Sequence, residues 1–150
     1  MNVGETILAH KGYKVYSIHP EELVSDVLRI LNERRIGALM VLDANQNIEG
    51  IVSERDVLYK LYTSRDQALD ERVKDIITPK EELIIGHEDD TLQYVMGIMT
   101  NNRIRHLPIL NEEGKLEGLI SIGDVIKAHL EEVEHENKFL VDYIQGKYPG

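Results

Sequence analysis

The sequence repeats itself once, at a constant offset. Residues 49–57 read Glu-Gly-Ile-Val-Ser-Glu-Arg-Asp-Val and residues 117–125 read Glu-Gly-Leu-Ile-Ser-Ile-Gly-Asp-Val, so Asp124 corresponds to Asp56 at an offset of 68 (124 minus 56). Carried back without a gap, the same offset pairs Leu42 with Leu110, Ile36 with Ile104, Arg35 with Arg103 and His19 with His87. Stacked repeat arrays need three or more copies, so two copies predict a pair of related units.

Each copy has the same order of predicted elements. A short extended segment, at 13–18 or 83–85, precedes apolar residues at helical spacing such as Val24, Val27 and Leu31. Two apolar runs joined by turn-forming residues then predict a hairpin in each copy: 36–42 with 48–52, and 104–110 with 116–120. A second helix is expected after each hairpin. The predicted fold is therefore α/β (α+β), with two β-α-β-β-α repeats packed as a pseudo-twofold pair.

The element pattern also predicts the domain boundaries. We expect the first repeat at 10–66, a linker at 67–77, the second repeat at 78–134, and a C-terminal helix extension and tail at 135–150. Apolar residues at helical spacing continue after Val125 among many acidic residues, which predicts a long amphipathic final helix. Its apolar side is expected to pack against a partner subunit.

The charge balance limits the partners of this chain. The formal net charge is -10 at pH 7, whereas binding of a long nucleic acid depends on a basic face. No long nucleic acid is therefore expected as a partner. Arg103, Arg105 and His106 nevertheless lie within four positions, and such a local basic group suits a small phosphate compound.

Other compositional features exclude several kinds of site. Cysteine is absent, which excludes disulfides, thiolate metal ligands and cysteine nucleophiles. The six histidines lack a metal-ligand spacing, so no metal is expected. No apolar run has the length of a membrane-spanning helix, and no signal-peptide pattern opens the chain. We therefore expect a cytoplasmic protein without a membrane anchor.

A Gly-x-x-Ser-x-x-Asp motif closes both hairpins, at 50–56 and 118–124. A serine or a backbone amide at a helix start can donate a hydrogen bond to a phosphate, supported by the helix dipole. An aspartate one turn further on can accept hydrogen bonds from two ribose hydroxyls, and the glycine lets a flat base approach the backbone. Helix capping by the aspartate leaves the serine three positions earlier unexplained, which favours an adenosine phosphate as the ligand.

The duplicated motif, together with the run Arg-His-Leu-Pro-Ile at 105–109, resembles a pair of cystathionine-beta-synthase (CBS) domains. The resemblance covers residues 11–129, nearly the whole chain. It is greatest to stand-alone bacterial two-CBS proteins, which tend to carry Ser-Glu-Arg-Asp in the first repeat and Ser-Ile-Gly-Asp in the second, as at 53–56 and 121–124. The resemblance implies a non-catalytic regulatory module that binds adenosine nucleotides between its repeats and forms a homodimer.

The resemblance also implies two composite sites, in which the aspartate of one repeat faces the first strand and hairpin start of the other. The implied first site sets Asp56, Ser53 and Arg55 opposite Ile84, Ile104, Arg105 and His106. The implied second site sets Asp124, Ser121 and Gly123 opposite Tyr16, Ile36, Gly37 and Ala38. The two aspartates are implied to bind ribose. Phosphate is assigned to Ser53, Arg55, Arg105, His106, Ser121 and Gly123, and adenine to Tyr16, Ile36, Gly37, Ala38, Ile84 and Ile104.

The two implied sites differ in charge. The first contains more basic residues and is expected to favour AMP, whereas the second is expected to be weaker or to take a larger ligand such as NAD. ADP, ATP and NAD(H) stay open as ligands of either site, and no catalytic cofactor is expected. S-adenosylmethionine is disfavoured because it is itself cationic.

The chain lacks the sequence patterns of a phosphate loop, a dinucleotide fingerprint and a nucleophile elbow. We therefore expect a sensor in which a bound ligand stabilises one arrangement of the repeats. We expect no attached effector domain, so the signal is expected to reach a separate, unknown protein. Two alternatives stay open: a dimerisation module without ligand, and a hydrolase that uses Asp56 and Asp124 as paired carboxylates. The hydrolase is disfavoured because the two aspartates are assigned to separate sites.

Overall fold

The computed structural model of the chain describes residues 1–146. Of the helix extension and tail predicted at 135–150, residues 147–150 lie outside the described residues. The chain forms two compact units. The first-repeat unit is Lys14–Ile84. The second-repeat unit combines Met1–Tyr13 with the chain from Ile85 onward. Each unit contains one β-α-β-β-α arrangement, which confirms the predicted fold class.

The elements are numbered in chain order. A π-helical turn (Gly4–Leu8) leads into α1 (Ala9–Lys11), and we call residues 4–11 the N-terminal helical segment. The first-repeat unit contains β1 (Ser17–Ile18), α2 (Val24–Arg34), β2 (Ala38–Leu42), β3 (Ile48–Ser53), α3 (Glu54–Ser64) and β4 (Thr78–Pro79). The second-repeat unit continues with β5 (Gly86–His87), α4 (Leu92–Asn102), β6 (His106–Leu110), β7 (Leu116–Ser121) and α5 (Ile122–Ile144).

The first-repeat unit has a four-stranded sheet in the order β1-β2-β3-β4. Strands β2 and β3 form the predicted antiparallel hairpin, with Leu39 opposite Val52, and β1 lies parallel to β2. Residues two apart on a strand share a face, so Leu39 and Val41 both point into the core below the helices. The buried core of this unit consists of Ile18, Val24, Val27, Leu31, Leu39, Val41, Val52, Val57 and Val73.

The second-repeat unit has a three-stranded sheet in the order β5-β6-β7. Leu107 of β6 lies opposite Ile120 of β7, at the same repeat positions as the Leu39–Val52 pair of the first-repeat unit. The fully buried side chains of this unit include Leu92 and Met99 of α4 and Leu8 of the N-terminal helical segment. The segment is thus part of this core, although the repeat offset gives no indication of it.

Helices α2 and α4 end in the same way. Arg35 and Arg103 adopt left-handed backbone conformations, with φ of 54° and 53°. The next amide, of Ile36 or Ile104, donates to the carbonyl of Leu31 or Met99, each at 3.1 Å, and so satisfies a carbonyl that the helix leaves open. Each helix therefore stops where the following strand must begin.

The segment predicted as a linker is packed rather than extended. Residues Arg65–Asp70 and Val73–Asp75 form 3₁₀ turns, and the side chains of Ala68 and Val73 are fully buried. The amide of Val73 donates to the carbonyl of Glu22 at 2.8 Å. Because both residues belong to the first-repeat unit, this segment completes that unit's core.

Candidate functional site

The first motif forms the turn from β3 into α3. Ser53 is the N-cap residue of α3, and its hydroxyl accepts a hydrogen bond from the amide of Asp56 at 3.4 Å. In return, Oδ2 of Asp56 accepts from the Ser53 amide at 2.8 Å and from the Ser53 hydroxyl at 3.1 Å. Such reciprocal bonding satisfies two amides that a helix start leaves open.

The second motif repeats this turn from β7 into α5. The Ser121 hydroxyl accepts from the Asp124 amide at 3.1 Å, and Oδ2 of Asp124 accepts from the Ser121 amide at 2.8 Å. Capping therefore accounts for both the serine and the aspartate, and the sequence-based expectation that it leaves the serine unexplained was wrong. The Ser-x-x-Asp spacing by itself is a capping box.

A lysine distant in sequence contacts the second motif. Nζ of Lys11 lies 2.7 Å from Oδ2 of Asp124 and donates to the carbonyl of Leu119 at 2.8 Å. The sequence gives no sign of this contact, because Lys11 lies 113 positions from Asp124 and belongs to the N-terminal helical segment. Apolar residues at helical spacing, Val3, Ile7 and Leu8, indicate a helix there but not which surface it covers.

The two aspartates consequently have different electrostatic environments. Burial is the largest influence on both and raises the pKa of each carboxyl. For Asp56 the hydrogen bonds from Ser53 and the charge of Arg55 offset burial only in part, so its pKa stays above the ordinary value. For Asp124 the Lys11 ammonium and the Ser121 bonds outweigh burial, and its pKa falls below the ordinary value.

Each unit brings its motif to the hairpin start of the same repeat. Ser53 pairs with Ala38, and the amide of Glu54 donates to the carbonyl of Gly37 at 3.0 Å. In the second-repeat unit, Ser121 pairs in the same way with His106, and the amide of Ile122 donates to the carbonyl of Arg105 at 2.8 Å. The pairing implied by the resemblance, motif of one repeat with hairpin start of the other, involves both units and stays a prediction.

The remaining predicted site residues lie around these turns. Arg55, Arg105 and Gly123 are exposed, and Ile36, Ile84, Ile104 and His106 are half-buried. Tyr16 directly precedes β1, and its ring lies 5.2 Å from Nζ of Lys14 and 5.1 Å from the guanidinium carbon of Arg34. Cation–π contacts of this kind give the Tyr16 ring a packing role within the first-repeat unit.

The motif glycines have a packing role that the sequence did not predict. A Cβ atom at Gly50 would overlap the carbonyl oxygen of Thr78 in β4, and one at Gly118 would lie 2.6 Å from Cδ2 of Leu8. The space beside each glycine is thus filled by the protein itself. The expectation that these glycines admit a flat base at that face was wrong.

Each unit has a cavity beside its motif helix. In the first-repeat unit, a groove of about 450 Å³ runs along α2 and α3; Ile36 and Gly37 line it together with apolar residues such as Leu28, Val57 and Leu61. In the second-repeat unit, a cavity of about 250 Å³ is lined by Thr6, Ile7, His10, Lys11, Asp124, Lys127, Ala128 and Glu131. The first is mainly apolar, whereas the second carries charges of both signs.

Residues 1–146 contain neither a metal-binding cluster nor a membrane-spanning helix. No group of three or more His, Asp or Glu side chains in this range is placed to hold a metal ion. No helix in the same range combines the length and apolar character needed to cross a membrane.

Known proteins resemble this chain in sequence and in fold. The chain is 35% identical over 130 residues to the mitochondrial CBS domain-containing protein CBSX3 of Arabidopsis thaliana; the match covers 85% of this chain but only 63% of that relative. The structure of the CBS-domain containing protein ATU1752 from Agrobacterium tumefaciens aligns with a TM-score of 0.80 at 33% identity, over 85% of this chain and 92% of that one.

Two solved structures of lower identity share the fold and contain ligands. CBSX2 in complex with AMP aligns with a TM-score of 0.71 at 24% identity, over 87% of this chain and 96% of that one. The CBS domain pair of protein MJ0100, in complex with 5′-methylthioadenosine and S-adenosyl-L-methionine, aligns with a TM-score of 0.75 at 17% identity, over 88% and 98%. The model of the CBS domain family matches residues 9–63 and 73–131, so the chain belongs to the CBS domain family, with two CBS domains.

Proposed function

We propose that this chain is a non-catalytic regulatory module that binds adenosine-containing nucleotides and signals to a separate protein. The observation that carries the proposal is the match of residues 9–63 and 73–131 to two CBS domains, each of which contains a Ser-x-x-Asp turn at the start of a helix. The AMP complex of CBSX2 and the MJ0100 complex with two adenosine compounds support adenosine as the common part of the ligand.

In this proposal Asp56 and Asp124 bind ribose hydroxyls. Each carboxylate uses Oδ2 to accept from its serine amide, and within residues 1–146 Oδ1 of neither carboxylate accepts a hydrogen bond. Serine and the first amides of each helix then face a phosphate, because a helix start attracts anions. Phosphate contacts are proposed for Ser53, Arg55, Arg105, His106, Ser121 and Gly123, and adenine contacts for Tyr16, Ile36, Gly37, Ala38, Ile84 and Ile104.

We group each site by the residues that its own unit brings together. The Asp124 site then includes Arg105 and His106, whereas the Asp56 site includes Gly37 and Ala38. This grouping differs from the cross-repeat one implied by the resemblance, and it makes the Asp124 site the more basic of the two. AMP is accordingly assigned to the Asp124 site, and a weaker or larger ligand such as NAD to the Asp56 site.

A structural module without ligand is the second candidate. It is favoured by one observation: both motif residues of each repeat are already used in helix capping. It predicts that no adenosine compound changes the stability of the chain.

Thermal unfolding of the nucleotide-free protein tests the two candidates. A ligand bound only by the native state stabilises it, by about 2.7 kcal/mol at a concentration 100 times Kd. We expect AMP, ADP, ATP or NAD(H) to raise the melting temperature, with S-adenosylmethionine as a further arm. The AMP-induced rise should be lost in Asp124→Ala and in Arg105→Ala. A rise lost in Asp56→Ala and Arg105→Ala instead would establish the cross-repeat grouping, and no rise with any compound would favour the structural module.

The exposed face of α5 supports the homodimer. Ile126, Leu130, Val133, Leu140 and Ile144 are all exposed and follow one another at spacings of four, three, seven and four residues. With Asn137 in the gap, this is the alternation of a coiled-coil seam, in which a single polar residue fixes register. A self-complementary seam of this kind fits a second copy of the same helix. We assign this face to the dimer contact; the effector protein and the cytoplasmic location remain predictions.

A further inference from the structure

We infer that Lys11 determines which adenosine compounds the Asp124 site accepts: it holds the Asp124 carboxylate until a ligand phosphate replaces that carboxylate as its partner. Compounds that carry a phosphate are accepted, and uncharged or cationic adenosine compounds are disfavoured. The inference rests on the proposed function and concerns only the second-repeat unit.

The Asp124 carboxylate already accepts two hydrogen bonds within the chain. Oδ2 of Asp124 accepts both the Ser121 amide at 2.8 Å and Nζ of Lys11 at 2.7 Å. A ribose whose two vicinal hydroxyls donate one to each carboxylate oxygen therefore competes with the ammonium for Oδ2. The Lys11 and Asp124 side chains are 40% and 26% exposed, which makes the pair accessible to a ligand from solvent.

Ribose binding to Asp124 would deprive the Lys11 ammonium of its partner carboxylate. When ribose takes the carboxylate, Lys11 keeps one bond, to the carbonyl of Leu119 at 2.8 Å, but loses its counter-charge. A partly buried cation without a counter-charge is unfavourable. A ligand phosphate restores the pairing with a charge-assisted bond, whereas adenosine offers no anion and the sulfonium of S-adenosylmethionine adds a second cation.

The cavity beside Lys11 is small and lined by several charged side chains. The cavity beside Lys11 has about 250 Å³, less than the roughly 300–1,000 Å³ of a complete ligand pocket, so it suits a part of the ligand such as the phosphate. Its lining adds His10 and Lys127 to Lys11. Of these three side chains, Lys11 alone lies within ion-pair distance of Asp124 in the described part of the chain, with Nζ 2.7 Å from Oδ2. Lys11 is therefore the cation whose partner the ligand changes.

The first-repeat unit provides a natural comparison. Asp56 makes the same bonds to its serine, but no ion pair of Asp56 is found within residues 1–146. Position 79, at the repeat offset from Lys11, is a proline in β4. The lysine is thus a property of the Asp124 site alone.

The test measures affinities for AMP and adenosine by isothermal titration calorimetry. The full chain carries Asp56→Ala, which removes the other carboxylate, and is compared with the same chain carrying Lys11→Met, Lys11→Arg or Lys115→Met. Lys115 lies in the turn between β6 and β7, is exposed and does not line the cavity. We expect AMP to bind more tightly than adenosine, and Lys11→Met to reduce the ratio of the two affinities by about fivefold to tenfold. Lys11→Arg and Lys115→Met should keep the ratio within about twofold of the parent.

An unchanged ratio in Lys11→Met, with binding still lost in Asp124→Ala, would overturn the role of Lys11 and leave the proposed function intact. Absence of binding in the unsubstituted chain would overturn both. If Lys11→Met does not fold, the unsubstituted chain decides: adenosine binding as tightly as AMP at low salt contradicts the inference. An AMP preference that shrinks with added salt supports it, because salt screens the Lys11–phosphate pair.

Discussion

At the scale of single residues, the two halves of the chain use one motif in two electrostatic settings. Asp56 and Asp124 occupy equivalent positions and make equivalent bonds to a serine. Only Asp124 has an ammonium beside it, and the pKa values of the two carboxyls shift in opposite directions. The repeated motif predicts both aspartates but not this difference, because Lys11 is brought to Asp124 by tertiary packing.

We predict that Asp56→Asn and Asp124→Asn change stability in opposite directions at pH 7. Ionised Asp56 has a raised pKa in the folded state and therefore costs stability above that pKa. Asparagine removes this cost and should raise the free energy of unfolding by up to about 1 kcal/mol. Asp124 has a lowered pKa, so its contribution is present above the unfolded-state pKa and is lost as the pH falls through the folded-state value. Asp124→Asn should cost about 1 kcal/mol at pH 7.

Urea unfolding from pH 7 to below the ordinary aspartate pKa of about 3.9 checks this pair. Asp56, whose pKa is raised, protonates first as the pH falls, and Asp124, whose pKa is lowered, protonates later. The difference between the two variants should shrink as the pH falls. An Asp124→Asn chain as stable as Asp56→Asn at pH 7 would contradict the assigned role of Lys11.

At the scale of elements, the hairpins and long helices were predictable and the short strands only in part. The apolar spacing of α2, β2 and β3 is local to each element, so the sequence carries it directly. The two-residue strand Ser17–Ile18 lies inside the extended segment predicted at 13–18, whereas the strand Gly86–His87 begins after the segment predicted at 83–85. Each is fixed by parallel pairing with a strand about twenty residues away, which local spacing cannot indicate.

Strand β3 lies beside β4, whereas β7 lies beside the N-terminal helical segment. This difference predicts unequal effects of Gly50→Ala and Gly118→Ala on stability. A methyl at Gly50 meets the backbone carbonyl of Thr78, which cannot move without breaking the β3–β4 pairing. A methyl at Gly118 meets only the end of the Leu8 side chain, which can rotate. We expect losses of about 2–3 kcal/mol at Gly50 and about 1 kcal/mol at Gly118, measured by urea unfolding. Equal losses would mean that the N-terminal helical segment is as rigid as β4.

At the scale of the whole molecule, the sequence predicted a duplicated α+β fold, and the structure confirms it in two units. The chain does not divide between them at the repeat offset. Val3 and Leu8 are fully buried in the second-repeat unit, because a three-stranded sheet there leaves a surface that the fourth strand covers in the other unit. Which sheet the first residues pack against depends on contacts between residues far apart in sequence, so a repeat pattern alone could not predict it.

The exposed apolar face of α5, here called its stripe, is assigned to the dimer contact, so a charge placed on it should dissociate the dimer. Leu140 is 54% exposed and lies on the stripe, whereas His135 is exposed but lies off it. We expect Leu140→Glu to convert a dimer to a monomer in analytical ultracentrifugation, because it places two carboxylates in one apolar seam. His135→Glu, an acidic substitution on the same helix, should leave the dimer intact. Asn137→Leu should tighten association while relaxing its register, since a lone polar residue in a seam selects one alignment at the cost of stability. A chain that stays dimeric with Leu140→Glu would place the contact on another face.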